Sequence, residues 1–156
     1  MLPILVGYFD CLETLQDDLH RVFADLPEAA LNWSPGPDIN SIAVLVAHAS
    51  GALRYWIGDV IGADPSCRVR EAEFRTRDAT AADLIARFDA AVEHSRNVLQ
   101  GLAPADLDGQ RTIASDGRPV TVAWALAHAL EHTAMHVGHA QIARQWWEHS
   151  HAASTP

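Results

Sequence analysis

The chain has 156 residues, 49% of them hydrophobic, and a formal net charge of -9 with histidine neutral. All 11 basic residues are arginine, which excludes Schiff-base, P-loop-lysine and lysine general-base chemistry. The negative balance argues against nucleic acid, whose phosphates must be neutralised by cationic side chains.

The length suits one domain with a single sizeable core, assigned to residues 1–148, followed by a polar tail over 149–156 expected to fray. The first ten residues carry no positive n-region and no small-residue cleavage site, so no signal peptide is expected. No apolar run approaches the ~18 residues of a membrane span. Cys11 and Cys67 form no CxxC spacing, and both read as ordinary small residues of a reduced, cytoplasmic protein.

The first predicted helix covers 4–26. Leu5, Phe9, Leu12, Leu15, Leu19, Val22 and Leu26 recur at spacings of three and four, and Pro27 closes it. Residues 33–40 hold Pro35, Gly36 and Pro37 and cannot be regular. The second helix covers 41–62, with Ser41 as its N-cap and Ile42, Leu45, Ala49, Ala52, Leu53, Trp56 and Val60 on one face. Residues 63–79 are polar and arginine-rich. Arg68, Arg70, Arg75 and Arg77 stand beside Glu71, Glu73 and Asp78, and the expectation is a solvated surface of mixed charge.

The third helix covers 80–101. Thr80 and Asp83 resemble a capping box, and Gly101 suits the C′ position. Single helical turns are expected at 26–31 and 102–107, and a short extended pair at 110–113 and 118–120. The fourth helix covers 121–148. Four long helices with few strand signals give an all-α fold, an antiparallel four-helix bundle. Trp56 and Trp124 are expected in the core. Trp146 and Trp147 cannot both be buried, so one of them belongs at an interface or a pocket mouth.

Nine histidines are the compositional feature to explain, because neutral imidazole is the commonest metal ligand and the usual acid/base near neutral pH. His128, His132, His136 and His139 lie on the fourth helix. At about 100° per residue they share one arc of about 80°. Imidazoles at i and i+4 have Cβ atoms roughly 5–6 Å apart, so the pair 128/132 or the pair 132/136 can reach one ion. A third ligand must come from another element. His48, alone in an apolar helix about 60° off its core stripe, is the candidate.

His128-Ala-Leu-Glu131-His132 also matches the H-x-x-E-H signature of inverted zinc peptidases. Such enzymes need a further acidic ligand well downstream, and Glu148 is the only acid after His132. No G-x-S-x-G elbow or phosphate-cradling loop is present.

The segment Leu31-Asn-Trp-Ser-Pro-Gly-Pro-Asp-Ile-Asn-Ser41 running to His48, with Glu131-His132-Thr-Ala-Met-His136-Val-Gly138-His139, resembles the DinB/YfiT-like superfamily. A lone His on the second helix and a His pair on the last match that family's layout over nearly the whole chain. The resemblance implies a DinB/YfiT-like four-helix bundle that forms a homodimer. It implies a divalent transition metal, zinc or nickel, held by His48, His132 and His136. It further implies activation of a low-molecular-weight thiol, or of water, for transfer to a small electrophilic substrate. His128 and His139 are extra imidazoles on the same face, candidates for supporting or acid/base roles. The alternative is a metal-binding bundle without catalysis, a sensor or a sequestering protein.

Overall fold

The computed structural model describes residues 2–152. Helix α1 spans Pro3–Phe23, the single turn α2 Glu28–Leu31, and α3 Ile42–Arg54, which runs on without a break as a π-helical segment Tyr55–Ile61. The turn α4 is Arg70–Glu73 and α5 is Ala81–Leu99. A 3-10 turn at Pro104–Asp108 leads into β1 (Gln110–Thr112) and β2 (Pro119–Thr121), and α6 is Val122–Ala152. The two strands pair antiparallel with Arg111 opposite Val120, so the expected single turns and extended pair are present.

Local chemistry explains most boundaries. The Ser41 side chain accepts from the Val44 N–H and caps α3, and Thr80 and Asp83 form a reciprocal capping box on α5. Helix α1 stops three residues before the expected end, because Asp25 takes a left-handed φ of 57° ahead of Pro27. Helix α6 continues four residues past the expected end at Glu148. His151 stacks on Trp147 with ring centroids 3.6 Å apart and meets the Trp147 carbonyl through Nδ1. The rest of the expected tail, 153–156, lies outside the described residues.

The four long helices enclose one core that includes Leu5, Leu12, Leu53, Ile57, Phe88 and Leu99, all fully buried. Helix α1 packs on α5 and α6, and α3 packs on α5 and α6, which leaves α1 and α3 diagonal. Cross-helix contacts set the directions. His20 meets Asp89 while Arg96 meets Glu13, so α1 and α5 are antiparallel. His48 meets His136 while Trp56 meets Trp124, so α3 and α6 are antiparallel. Gly58 faces His94 and Gly62 faces Val98, so α3 and α5 run the same way.

Two parallel neighbours cannot be joined by a tight turn. The connection between α3 and α5, residues 62–80, must travel back along the bundle before α5 begins. That return path carries α4 against the middle of α3. Arg68 and Glu73 are thereby turned onto the bundle, while the residues between them stay exposed.

Trp56 is in the core as expected, but Trp124 is 37% exposed. Its indole lies outside the packed layer, stacked on His128 and covered by the Arg118 guanidinium. Trp146 is the exposed member of its pair, and Trp147 packs edge-on to Trp33.

Candidate metal centre

Helix α3 supplies His48 at its buried centre, because its apolar neighbours drive that whole segment inside. Helix α6 supplies His132 and His136, one turn apart on the face toward α3. One ring nitrogen of each of the three lies within 4.8 Å of the others. The His48 ring centroid is 5.0 Å from His132 and 4.9 Å from His136, and the last two are 4.4 Å apart. The trio that converges is therefore 48/132/136. His128 is a further turn away, 5.8 Å from His132, and is not part of the cluster.

The electrostatics keep the two α6 imidazoles neutral. Burial, then the charge of neighbouring imidazoles, lowers the pKa of His132 to about 3 and that of His136 to about 4. Their Nε2 atoms face each other at 3.3 Å, a gap that holds at most one shared proton. Their Nδ1 atoms are buried and have no hydrogen-bond partner among the described residues. Unpaired buried polar atoms are costly, at about 1–3 kcal/mol each. A donor set of neutral imidazoles with unshared lone pairs fits a divalent borderline metal such as zinc or nickel.

His48 is held differently. Its Nδ1 lies 2.9 Å from Glu73 Oε2, and both side chains are buried. Arg68 grips the same carboxylate with two bonds, Nε to Oε1 and Nη2 to Oε2, each 2.7 Å. Burial by itself would raise the Glu73 pKa, but the hydrogen bonds and charges of Arg68 and His48 outweigh it, and the pKa falls below the ordinary carboxylate value. The expectation of a solvated loop is thus corrected at Arg68 and Glu73: Glu73 is only 3% exposed. It was missed because a carboxylate in a polar loop has no periodicity to mark it. One signal was available, Gly51 in the interior of α3, where a missing Cβ marks close approach by another element. A Cβ there would lie 1.9 Å from Glu73 Oε1.

A cavity of about 510 Å³ opens beside the cluster. His48 and His132 form one side, Tyr55, Trp56 and His128 an aromatic wall, and Arg68, Arg70 and Ser115 the polar rim. Neither cysteine lines it; Cys11 and Cys67 are exposed free thiols elsewhere. His128 stacks on Trp124, meets Trp56 edge-on, and holds Nδ1 3.3 Å from Glu131. His139 is exposed. It lines a separate groove with Ile39, Ile142 and Trp146, so the structure separates the two extra imidazoles.

The family model described as mycothiol-S-transferase matches residues 8–148. No curated protein matches the chain at a significant level. Among solved structures, a conserved protein of Enterococcus faecalis superposes with a TM-score of 0.78 at 17% identity, covering 93% of this chain and 97% of that one. A DinB-like protein of Bacillus subtilis, YjoA, gives 0.67 at 19% identity, covering 90% and 91%. YfiT of Bacillus subtilis gives 0.73 at 13% identity, covering 90% and 86%. It is described as a probable metal-dependent hydrolase with an unusual four-helix bundle topology. At these identities the three structures establish the shared fold, the DinB-like four-helix bundle.

Proposed function

The chain belongs to the mycothiol-S-transferase family of DinB-like proteins, and from that premise we propose that it is a metal-dependent enzyme transferring a low-molecular-weight thiol to a small electrophile. His48, His132 and His136 would hold a divalent transition metal, zinc or nickel. The observation that carries the reading is the convergence of three ring nitrogens within 4.8 Å beside an open cavity. When bound, such an ion supplies Lewis-acid chemistry that lowers the pKa of a thiol or water placed against it.

The chain's own residues are suited to binding and orientation. Tyr55 and Trp56 give flat apolar surface for a substrate body. The guanidinium of Arg70, over the Phe74 ring, and the Ser115 hydroxyl give polar contacts at the rim. His128 faces the cavity with one nitrogen toward Glu131, which leaves the other for contact with substrate. No protein nucleophile is required, consistent with the lack of lysine and with the absence of both cysteines from the cavity lining.

The test is a metal titration followed by a thiol panel. The purified protein is expected to bind one equivalent of zinc or nickel, and His48→Ala or His132→Ala to lose it. Failure of the parent to bind either ion would sink the site. Metal-dependent consumption of mycothiol, bacillithiol or glutathione with a generic aryl halide is the expected activity. Turnover of an ester without any thiol would favour water as the nucleophile. Metal binding with neither activity would favour the non-catalytic bundle.

A further inference from the structure

The Glu73 carboxylate occupies a position that the fold has made specifically for it. It lies in the slot left by Gly51, buried, with Arg68 bonded to both oxygens and His48 Nδ1 at 2.9 Å. An ionised carboxylate only accepts hydrogen bonds. The 2.9 Å contact is therefore a bond only if His48 carries its proton on Nδ1. Arg68 Nη2 also approaches His48 Nδ1, at 3.3 Å, and that longer contact joins two donors serving one oxygen. A neutral imidazole protonated on Nδ1 has its lone pair on Nε2.

We infer that Glu73 is the positioning residue of the metal centre: clamped by Arg68 and seated over Gly51, it fixes the tautomer and ring orientation of His48 so that Nε2 is the nitrogen offered to the ion. The inference rests on the reading of His48 as a ligand and extends it to a residue outside the histidine cluster. The asymmetry of the site supports it. His132 and His136 have no partner on Nδ1, so each is oriented by packing on α6. His48 is the one member given a charged partner by a separate element, α4, which the return path between the parallel helices α3 and α5 brings alongside. A carboxylate hydrogen-bonded to a ligating imidazole raises its basicity as well as orienting it, and losing such a partner weakens metal binding about 10–100-fold.

The test combines one readout on the parent with one on a variant. In metal-free protein labelled with ¹⁵N-histidine, long-range nitrogen–proton spectra report which ring nitrogen of His48 bears the proton. The expected result is Nδ1–H. An Nε2–H signal for His48 would overturn the inference without any variant having to fold. Zinc affinity, measured by competition with a chromogenic chelator, is then compared between the parent and Glu73→Gln, which keeps the size and removes the charge. A loss of about tenfold or more is expected. If Glu73→Gln lowers Tm yet binds zinc within twofold of the parent, the carboxylate merely staples α4 to α3 and the proposal fails. If the parent binds no zinc, the metal reading fails, and the tautomer measurement still decides whether Glu73 sets the state of His48.

Discussion

Replacing Gly51 by alanine sets two effects of opposite sign against each other at one atom. In a helix interior, alanine is favoured over glycine by about 1 kcal/mol. The added Cβ, however, would lie 1.9 Å from Glu73 Oε1 and 2.7 Å from its Cδ. That carboxylate is not a loose side-chain end. Moving it breaks the two Arg68 bonds at 2.7 Å and the His48 bond at 2.9 Å. Hydrogen bonds to charged groups contribute about 1.5–3 kcal/mol each, and some of this returns as hydration if the carboxylate swings outward. The net expectation for Gly51→Ala is a loss of about 3 kcal/mol. At about 2–4 °C per kcal/mol for a chain of this size, Tm falls by about 6–12 °C. Gly138→Ala is the matched control. It lies in the interior of α6, and its added Cβ meets nothing within 4 Å. It is expected to gain up to about 1 kcal/mol and raise Tm slightly. Thermal melts of the metal-free parent and both variants decide the matter. If Gly51→Ala melts at or above the parent, the carboxylate moves at little cost and the clamped geometry is refuted.

The neutral imidazoles make stability depend on pH in a defined direction. His132 and His136 titrate near 3 and 4 when folded, whereas an unfolded histidine titrates near about 6.5, so below that pH only the unfolded chain takes up their protons. Metal-free protein should therefore lose roughly 2–3 kcal/mol between pH 7 and pH 5, after discount for solvent screening, and urea melts of a His132→Leu/His136→Leu variant should lack this slope. Because the same groups are already deprotonated when folded, they should add nothing to the pH dependence of zinc affinity between pH 7 and pH 6; a fall well beyond the roughly tenfold that a single titrating ligand can give would contradict their neutrality. The Thr80 cap is exposed and separate from the site, so Thr80→Ala should cost about 1 kcal/mol in a urea melt and leave zinc stoichiometry unchanged. Both cysteines should react with a thiol reagent in the native state, and Cys67→Ser should bind zinc as the parent does.

The helices were legible in the sequence because amphipathic periodicity and caps act locally. Ser41, Thr80 and Asp83 mark the starts of α3 and α5 to the residue. The histidine face of α6 was legible for the same reason, since 3.6-residue spacing alone puts 128, 132, 136 and 139 on one arc. Which i, i+4 pair meets His48 was not, because spacing allowed both. The antiparallel register of α3 on α6 decides it by setting His48 against 132 and 136, and Trp56 against 124 and 128. The expectation of Trp124 in the core fails for a similar reason: its apolar character is local, but its exposure depends on what packs around it, here the rings of Trp56 and His128 and the Arg118 guanidinium.

Composition determines part of the chemistry by itself. Having no lysine excludes amine chemistry, and nine histidines supply imidazole, the commonest metal ligand and the usual acid/base near neutral pH. Tertiary structure decided the rest. Helices α3 and α5 run in the same direction, so the chain between them must return along the bundle. On that path Arg68 and Glu73 leave the solvent and lock onto His48 through the slot at Gly51. Charge in a loop has no period to read. Its burial is set by the direction of the flanking helices, which only the packed molecule reveals.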